Sequence, residues 1–440
     1  MFSNKIKEIL KKYIFGRKNL EISTYPTKHF RILFLIILTS ICVNVAWAQV
    51  FNKEEKIINL LQNHRFKSLS QQFDSELKKA ISPKQIEKIW LGIEKQFGSF
   101  KSYEKSRIVR KEGLEQTQTL IFFDKGSLDL LTSFNSKGLL TGIFLKPAGY
   151  QLPSYGRNLV YNLENITIKS EQFRLPGEIM YPLDLSKKVP LVIFVHGSGA
   201  NDRYEGIGSV KVFKDFSLGL LSKGIACMVY DKRTLTYKNV YDTAQYTIWE
   251  ETVEDAVNAF LLAKTKTNID TNQIYILGHS QGGYALPLIL KACNGVKGGI
   301  SLAGCSRPLD EVLEDQYHYL IKLDGKTSKP EKKFLKKEMK KIKFVRSPEL
   351  CKSKPKTNLL VYWPTSFWCD IKKYDALAAM KSLDMQVLFL QGERDYQVTD
   401  KDFSYWKSGY LEKKKWSFIA YPKLNHLFIC LLYTSPSPRD

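Results

Sequence analysis

The stretch Ile276–Gly283, ILGHSQGG, decides the fold of this 440-residue chain. It places Ser280 in a G-x-S-x-G pattern between Gly278 and Gly282, after the apolar run IYILGHS and before YALPLILKA, which predicts a helix. A strand that turns directly into a helix bends so sharply that the flanking residues must lack bulky side chains, and the turn lifts the serine hydroxyl above the sheet. We therefore predict that Ser280 is a catalytic nucleophile and not an ordinary serine in a glycine-rich turn.

Similar apolar runs recur through residues 149–429. They are LVIFVHG, GIACMVYD, IYILGHS, GGISLAG, QVLFLQG and WSFIAYP, and a β-hairpin in NLENITIKSEQFRLPGEIMYP precedes them. Strands that are apolar on both faces are buried and mostly parallel. The segment TVEDAVNAFLLAK predicts a helix whose apolar face carries Val253, Ala256, Val257, Phe260 and Leu261. Strands that alternate with helices predict an α/β domain with a sheet covered on both sides.

The strand spacing is interrupted between SLAG and QVLFLQG by roughly eighty residues. We assign about residues 306–373 to a helical cap above the strand ends, where ligands bind in α/β sheets. PLDEVLEDQYHYLIKL and PEKKFLKKEMKKIKFV predict two of its helices. The cap segment YWPTSFW holds Trp363 and Trp368, which either form apolar walls of the pocket or pack inside the cap.

A serine hydroxyl needs a general base, and the base needs a carboxylate to orient it. In this strand-turn-helix arrangement the acid and then the histidine follow the serine along the chain. His426 follows the last apolar strand and is the predicted base, whereas His318 lies in the predicted cap. Asp395 comes just after the strand FLQG and is the predicted acid, with Glu393 as the alternative.

The oxyanion formed during acyl transfer needs N–H donors that are already in place. We predict the backbone N–H of Gln281 as one donor. The loop in FVHGSGANDR supplies the second, from Ser198 in the first instance and from Gly197 as the alternative. We expect His196 to brace this loop by hydrogen bonds. Asp231 and Arg233 in YDKRT either line the pocket or form a structural ion pair.

Residues 162–428 resemble the bacterial α/β-hydrolase esterases related to dienelactone hydrolase and serine aminopeptidases. The motifs that carry this resemblance are VHGSGANDR, YDKR, GHSQGG, LAGCSRPLD, LQGERDYQV and YPKLNHLF. The resemblance implies an α/β-hydrolase fold and a carboxylic-ester hydrolase with Ser280, Asp395 and His426 in the triad positions. The mechanism requires no metal and no organic cofactor. One departure is DKRTLTYK, which lacks the glycine that commonly follows the arginine.

The same triad also serves a small serine peptidase or aminopeptidase, or an acyltransferase. An aminopeptidase needs a carboxylate in the cap for the substrate's amino group, and Glu311, Glu314 and Asp315 are candidates. We expect a small-molecule ester as the substrate. Comparing aryl esters with aminoacyl amides separates these activities.

Residues 49–148 predict a small α+β domain. Lys53–Leu61 and Pro83–Phe97 predict helices, and the alternation around TLIFFDKGSLDLLTSFNSKGLLTGIFL predicts strands. ISPKQIEKIW and GIFLKPA resemble a domain of unknown function that often precedes such hydrolases.

Residues 1–48 predict an N-terminal extension with a secretory signal. The apolar core Ile32–Val43 follows Arg31, and Ala46 and Ala48 predict cleavage after Ala48. We therefore expect an exported protein, periplasmic or secreted, which associates with a membrane only if this segment is not cleaved.

The formal charge of +23 does not indicate nucleic-acid binding, because no nucleic-acid-binding pattern accompanies the basic clusters. The largest, Lys329–Lys356, has twelve basic and three acidic residues and predicts a solvated face. The scattered cysteines exclude a disulfide scaffold and leave Cys351 and Cys369 either bridged after export or free. The sequence does not define an oligomeric state.

The end of the chain, CLLYTSPSPRD at Cys430–Asp440, is unlike the rest. It is the translation of an adapter used in transposase-based sequencing libraries, and it is too rich in proline to form a helix. We expect an artefact joined to a C-terminally truncated gene, so that the helix normally found after the histidine loop is missing.

Overall fold

The computed structural model describes residues 53–111, 114–124, 126–241, 243–323, 325–410 and 415–430. The predicted signal segment, and the predicted adapter translation apart from Cys430, lie outside the described residues. No helix among those described is both long enough and apolar enough to cross a bilayer.

A small antiparallel sheet follows the first helices. The helices are residues 53–62, Phe66–Ser70, Ser75–Ala80 and Pro83–Phe97. The strands are β1 (Phe100–Tyr103), β2 (Arg107–Lys111), β3 (Leu114–Phe123), β4 (Gly126–Phe134) and β5 (Leu140–Pro147). The order is β1-β3-β4-β5, and both β1 and β2 pair antiparallel with β3. The predicted small α+β fold, including both of its predicted helices, is confirmed.

An eight-stranded sheet forms the main body of the fold. Its strands are β6 (Tyr161–Ser170), β7 (Phe173–Pro182), β8 (Val189–Val195), β11 (Ala226–Tyr230), β12 (Ile269–His279), β13 (Gly298–Leu302), β14 (Gln386–Gly392) and β15 (Trp416–Tyr421), while β9 (Gly206–Ile207) and β10 (Val210–Lys211) form a separate ribbon. The order is β15-β14-β13-β12-β8-β11-β7-β6. The six strands from β15 to β11 are parallel, and β7 and β6 continue the sheet as an antiparallel hairpin. Parallel order brings the carboxyl ends of β8, β12, β14 and β15 to one edge, where the predicted site residues lie.

Helices connect these strands and cover the sheet. They are Val212–Leu221, Arg233–Thr236, Lys238–Tyr241, Glu254–Ala263, Gln281–Ala292, Leu309–Leu320, Lys329–Arg346, Thr365–Ile371, Ala376–Lys381 and Asp400–Ser408, with a π-helical turn at Trp249–Val253 and 3-10 turns at Ser154–Gly156 and Leu350–Lys352. Leu309–Leu320 and Lys329–Arg346 confirm the two helices predicted for the cap.

One predicted core residue faces the solvent. Val253, Ala256 and Phe260 are buried as expected, but Leu261 is 55% exposed. At 100° per residue, Leu261 lies more than a quarter-turn from the centre of the face that these three define. Ala259 and Ala263 are buried instead, and their small side chains let the helix approach the sheet closely.

The cap contains a disulfide between Cys351 and Cys369, whose Cα atoms are 5.7 Å apart. It joins the 3-10 turn Leu350–Lys352 to the helix Thr365–Ile371. Of the two states that the sequence left open for these cysteines, the structure therefore has the bridged one. The bridge closes a covalent loop over the part of the cap that carries Tyr362.

Candidate active site

Ser280 occupies a strained turn between β12 and the helix Gln281–Ala292. Its φ is 51° and its ψ is −114°, a combination that L-residues rarely adopt and that is typical of functional sites. A Cβ added to Gly278 would come within 2.3 Å of the Gly282 oxygen, and one added to Gly282 within 2.5 Å of the Val195 oxygen. The close approach of backbone to backbone explains why both flanking positions are glycine.

The predicted base and acid are in direct contact. His426 Nδ1 lies 2.7 Å from Asp395 Oδ2, and both residues are buried. Asp395 follows β14 and His426 follows β15, so the contact joins the ends of two neighbouring parallel strands. A carboxylate can only accept a hydrogen bond, so Nδ1 carries the proton and the Nε2 of a neutral imidazole is free to act as a base.

The second oxygen of Asp395 is held by the backbone. Oδ1 accepts the N–H groups of Gln397 and Val398 at 2.8 and 2.9 Å, which fixes the plane of the carboxylate. The alternative acid, Glu393, is exposed, whereas Asp395 is buried against His426. The geometry therefore favours Asp395 over Glu393 as the partner of the imidazole.

The loop after β8 approaches Ser280, the predicted nucleophile. A Cβ on Gly197 would come within 3.1 Å of Ser280 Cβ. The Gly197 N–H, however, donates to Glu205 Oε1 at 2.7 Å, so the alternative prediction of Gly197 as an oxyanion donor is wrong. Ser198 remains as the candidate on this loop. Gln281 is the first residue of its helix, and the first N–H groups of a helix have no partner within the helix.

A buried ion pair lies between these two candidate donors. Lys232 Nζ lies 2.9 Å from Glu251 Oε1 and also donates to the Gly197 carbonyl at 2.8 Å. Glu251 Oε2 accepts the side-chain amide of Gln281 at 2.8 Å. Sequence reasoning missed this pair, although Lys232 stands between the two residues it selected in YDKRT, at the end of a buried strand.

The neighbours of Lys232 have structural roles. Arg233 is buried and pairs with Asp255 and Glu254; burial disfavours its charge, but Asp255 helps to raise its pKa. Asp231 accepts from Arg203 at 2.9 Å. Of the two roles that the sequence left open for Asp231 and Arg233, the structure supports structural ion pairs, with different partners for each residue.

His196 braces the oxyanion loop, as expected. Its Nε2 lies 3.1 Å from the carbonyl oxygen of Asp202 in the same loop. Burial is the main reason why the pKa of His196 is lowered to about 4, so the ring is neutral near pH 7. A neutral imidazole that is hydrogen-bonded to a carbonyl is a brace and not a proton carrier.

The aromatic residues that line the cavity beside this loop are tyrosines and not the tryptophans considered above. It has a volume of about 480 Å³, and its lining includes Gly199, Ala200, Glu251, Tyr246 and Tyr362. Trp363 and Trp368 are 4% and 1% exposed and pack inside the cap, which is the second of the two roles that the sequence left open for them.

Tyr362 is exposed because it lies at the tip of a turn. Leu360 and Trp363 form a β-bridge, and Val361 between them has φ 59°, which is unfavourable for a β-branched residue. The Tyr362 hydroxyl would lie 3.2 Å from a Cβ on Gly199, and Tyr362 as a whole residue is 42% exposed. The strained turn thus places the phenol side chain of Tyr362 against the loop after β8, at Gly199.

The cap carboxylates suggested for an amino group are mostly occupied. Asp315 pairs with Arg307 at 3.0 Å and with Lys401 at 2.9 Å, and Glu314 pairs with Arg346 at 2.7 Å. Glu311 is exposed. Nothing in this arrangement favours the recognition of a substrate amine.

Comparison with known proteins identifies the family. The chain is 31% identical to esterase EstD of Thermotoga maritima over 402 residues, which cover 90% of this chain and 92% of that esterase. The chain belongs to this esterase family. It is therefore an enzyme of the α/β-hydrolase fold that hydrolyses esters.

Two other comparisons also gave matches. Residues 55–143 match a family described as a protein of unknown function, DUF3887. Among solved structures, Est1E from Butyrivibrio proteoclasticus is 16% identical, with 61% of this esterase and 92% of that chain covered and a TM-score of 0.42. Dienelactone hydrolase from Anabaena variabilis is 14% identical, with 62% and 92% covered and a TM-score of 0.38.

Proposed function

We propose that this esterase cleaves carboxylic esters through an acyl-enzyme on Ser280, with His426 as the general base and Asp395 orienting it. The observation that carries the proposal is the buried 2.7 Å contact between His426 Nδ1 and Asp395 Oδ2, beside a serine held in a strained turn. A histidine that is fixed in one tautomer by a carboxylate serves as a base through its other nitrogen.

The reaction has two halves. The Ser280 oxygen attacks the ester carbonyl while His426 Nε2 takes its proton, and the resulting oxyanion accepts the N–H groups of Gln281 and Ser198. The C–O bond to the alcohol then breaks, and His426 returns the proton to the leaving oxygen. Water repeats the sequence on the acyl-enzyme and releases the acid. Each oxyanion donor contributes about 3 to 4 kcal/mol to lowering the barrier.

The substrate-binding space is the cavity beneath the cap. A volume of about 480 Å³ accommodates esters of small to medium acyl length. Its lining combines aromatic rings with hydroxyl and amide groups, which favours substrates of mixed polarity over long alkyl chains.

The test uses aryl esters of graded acyl length and labelling by a fluorophosphonate. We expect the unaltered chain to hydrolyse the short esters and to be labelled at Ser280, and Ser280→Ala to lose both properties. Ser301→Ala is a matched control, because Ser301 is also buried near the elbow but on β13. Persistence of activity or labelling in Ser280→Ala contradicts the proposal. A higher rate on aminoacyl amides than on aryl esters would indicate the peptidase alternative.

We also propose that the enzyme is exported. The sequence Ile32–Val43 after Arg31 supports this, and so does the disulfide Cys351–Cys369, because disulfides persist in oxidising compartments. Fractionation of cells combined with alkylation of thiols before and after reduction provides the test. Recovery of the chain in the cytoplasm with both cysteines alkylated before reduction overturns the proposal.

A further inference from the structure

The residue directly before the predicted nucleophile is a buried histidine. His279 is 2% exposed, and each of its ring nitrogens meets an oxygen. Nδ1 lies 2.9 Å from Glu205 Oε2, and Nε2 lies 3.0 Å from the backbone oxygen of His426. One ring therefore bridges the oxyanion loop, which carries Glu205, and the loop that carries the predicted base.

The two oxygens define the charge of the ring. A backbone carbonyl can only accept a hydrogen bond, and so can an ionised carboxylate. The other carboxylate oxygen of Glu205, Oε1, accepts a hydrogen bond from the Gly197 N–H at 2.7 Å. A neutral imidazole has one N–H and would direct a lone pair at the second oxygen. His279 Nδ1 and Glu205 Oε2 are 2.9 Å apart, and a proton on Nδ1 makes this contact an ion pair.

We propose that His279 is an imidazolium at neutral pH and that, paired with Glu205, it is a positioning residue that fixes the backbone of His426 relative to Ser280. The positioning role rests on the proposed function of His426 as the base, whereas the charge of His279 does not. The pair connects three backbone segments at the nucleophile: the oxyanion loop at Gly197, the elbow at His279 and the histidine loop at His426.

The surrounding charges are consistent with this ion pair. Burial disfavours a charged His279, but Glu205, the His426 carbonyl and Asp395 outweigh it and raise the pKa of His279 above its ordinary value. Burial likewise disfavours a charged Glu205, but His279 outweighs it and lowers the pKa of Glu205. Two further titratable side chains lie near this pair: the His426 ring, whose centroid is 4.7 Å from that of His279, and His196, which is neutral. The Phe213 ring packs against His279 in a T-shaped contact.

The raised pKa of His279 and the lowered pKa of Glu205 determine how the stability of this pair depends on pH. A histidine whose pKa is raised contributes stability that is complete below its ordinary pKa of about 6.5 and is lost as pH rises through the folded value. The lowered pKa of Glu205 contributes stability above its ordinary range that is lost as pH falls through the folded value. We expect the ion pair to persist at pH values between the folded-state pKa of Glu205 and that of His279. We expect the turnover number to fall at alkaline pH, when His279 loses its proton.

The charge is measured directly on the full chain by ¹⁵N spectroscopy of selectively labelled histidines, with the His279 signal assigned from its loss in His279→Gln. We expect both ring nitrogens to carry protons at about pH 7. A neutral ring at that pH overturns the proposal. The measurement does not depend on turnover, and Ser280→Ala should give the same His279 signal, so failure of the proposed triad and failure of this inference are distinguishable.

The positioning role is tested with Glu205→Gln, which keeps an oxygen for Gly197 but removes the charge. We expect kcat to fall about ten- to a hundredfold with little change in KM, and the alkaline limb of the pH profile to move to lower pH. Asp255→Asn is the matched control, because Asp255 is equally buried and ion-paired but with Arg233. It should lower stability and leave the pH profile in place. A folded Glu205→Gln enzyme with unchanged kcat and pH profile overturns the role, and if this variant does not fold, the ¹⁵N signal of the unaltered chain still decides the charge.

Discussion

Lys232 and Glu251 form a buried ion pair, with Nζ 2.9 Å from Oε1, that connects the two sides of the predicted oxyanion hole. Lys232 holds the carbonyl of Gly197 on one side, and Glu251 holds the side chain of Gln281 on the other. The pair thus holds the Gly197–Ser198 peptide, which presents one candidate N–H donor, and the side chain of the residue that presents the other.

Removing either charge should damage both folding and catalysis. Breaking a buried ion pair leaves an uncompensated charge and costs about 3–5 kcal/mol of the free energy of unfolding. We therefore expect Lys232→Met to unfold at much lower urea concentration and to lose turnover even where it is folded. Lys415→Met removes the exposed pair with Asp384 and should change the unfolding free energy by less than about 1 kcal/mol. Equal effects of the two substitutions would contradict this assignment.

Asp395→Asn should lower kcat by about 10⁴-fold with little change in KM, because an amide can hold the wrong tautomer of His426. Glu393→Gln alters an exposed carboxylate on the same loop and should leave kcat within about twofold of the unaltered enzyme. Steady-state kinetics on one aryl ester distinguishes the two. A large loss in Glu393→Gln together with a small one in Asp395→Asn would reverse the assignment of the acid.

Gly282→Ala should abolish activity and lower stability. Its Cβ would meet the backbone oxygens of Val195 and His196 at 2.5 and 2.7 Å, and backbone atoms cannot move aside cheaply. Gly92→Ala is a control, because a Cβ there meets nothing within 4 Å and alanine favours a helix by about 1 kcal/mol. Thermal unfolding and turnover of both variants give the comparison, and a fully active Gly282→Ala enzyme would disprove the backbone contact.

Tyr362 should influence which acyl groups are accepted. Tyr362→Ala enlarges the cavity, so we expect kcat/KM for the longest accepted ester to rise about tenfold relative to the acetate. Tyr405→Ala removes another exposed tyrosine, in the helix Asp400–Ser408, and should not change this ratio. The ratio of kcat/KM values across the ester series is the measurement. An unchanged ratio in Tyr362→Ala would exclude Tyr362 from the substrate-binding surface.

Reduction of the Cys351–Cys369 bridge should lower the stability of the cap. A disulfide that closes a loop of this length stabilises by about 3 kcal/mol, so reductant should lower the unfolding midpoint of the unaltered chain. The double variant Cys351→Ser, Cys369→Ser should start from the lower midpoint and not respond to reductant. A response of equal size in the double variant would show that another group is responsible.

Much of the fold could be predicted from local patterns. Six apolar runs, a helical face and an eighty-residue interruption predicted the parallel sheet and the cap, because burial on both faces leaves a continuous apolar signature in the chain. The exposed Leu261 shows where such a pattern becomes unreliable, since a helix of ten residues has several apolar positions and packing selects among them.

The pocket could not be predicted in the same way. YWPTSFW contains four large aromatic residues, and the sequence alone does not indicate which of them lines the cavity. The turn at Val361, closed by the bridge between Leu360 and Trp363, exposes Tyr362 and buries the tryptophans. A strained backbone conformation leaves no compositional signal.

Local patterns predicted the α/β fold, the sharp turn at Ser280 and the proposed order of nucleophile, acid and base, because each depends on residues that are close along the chain or follow strands in sequence. Only the tertiary structure decided which charges meet around them. Lys232 with Glu251 and His279 with Glu205 are buried pairs between distant segments, and no local pattern specifies the partner of a buried charge. The physical reason is that a charge is stable in the interior only next to its counter-charge, and the folded sheet sets that distance.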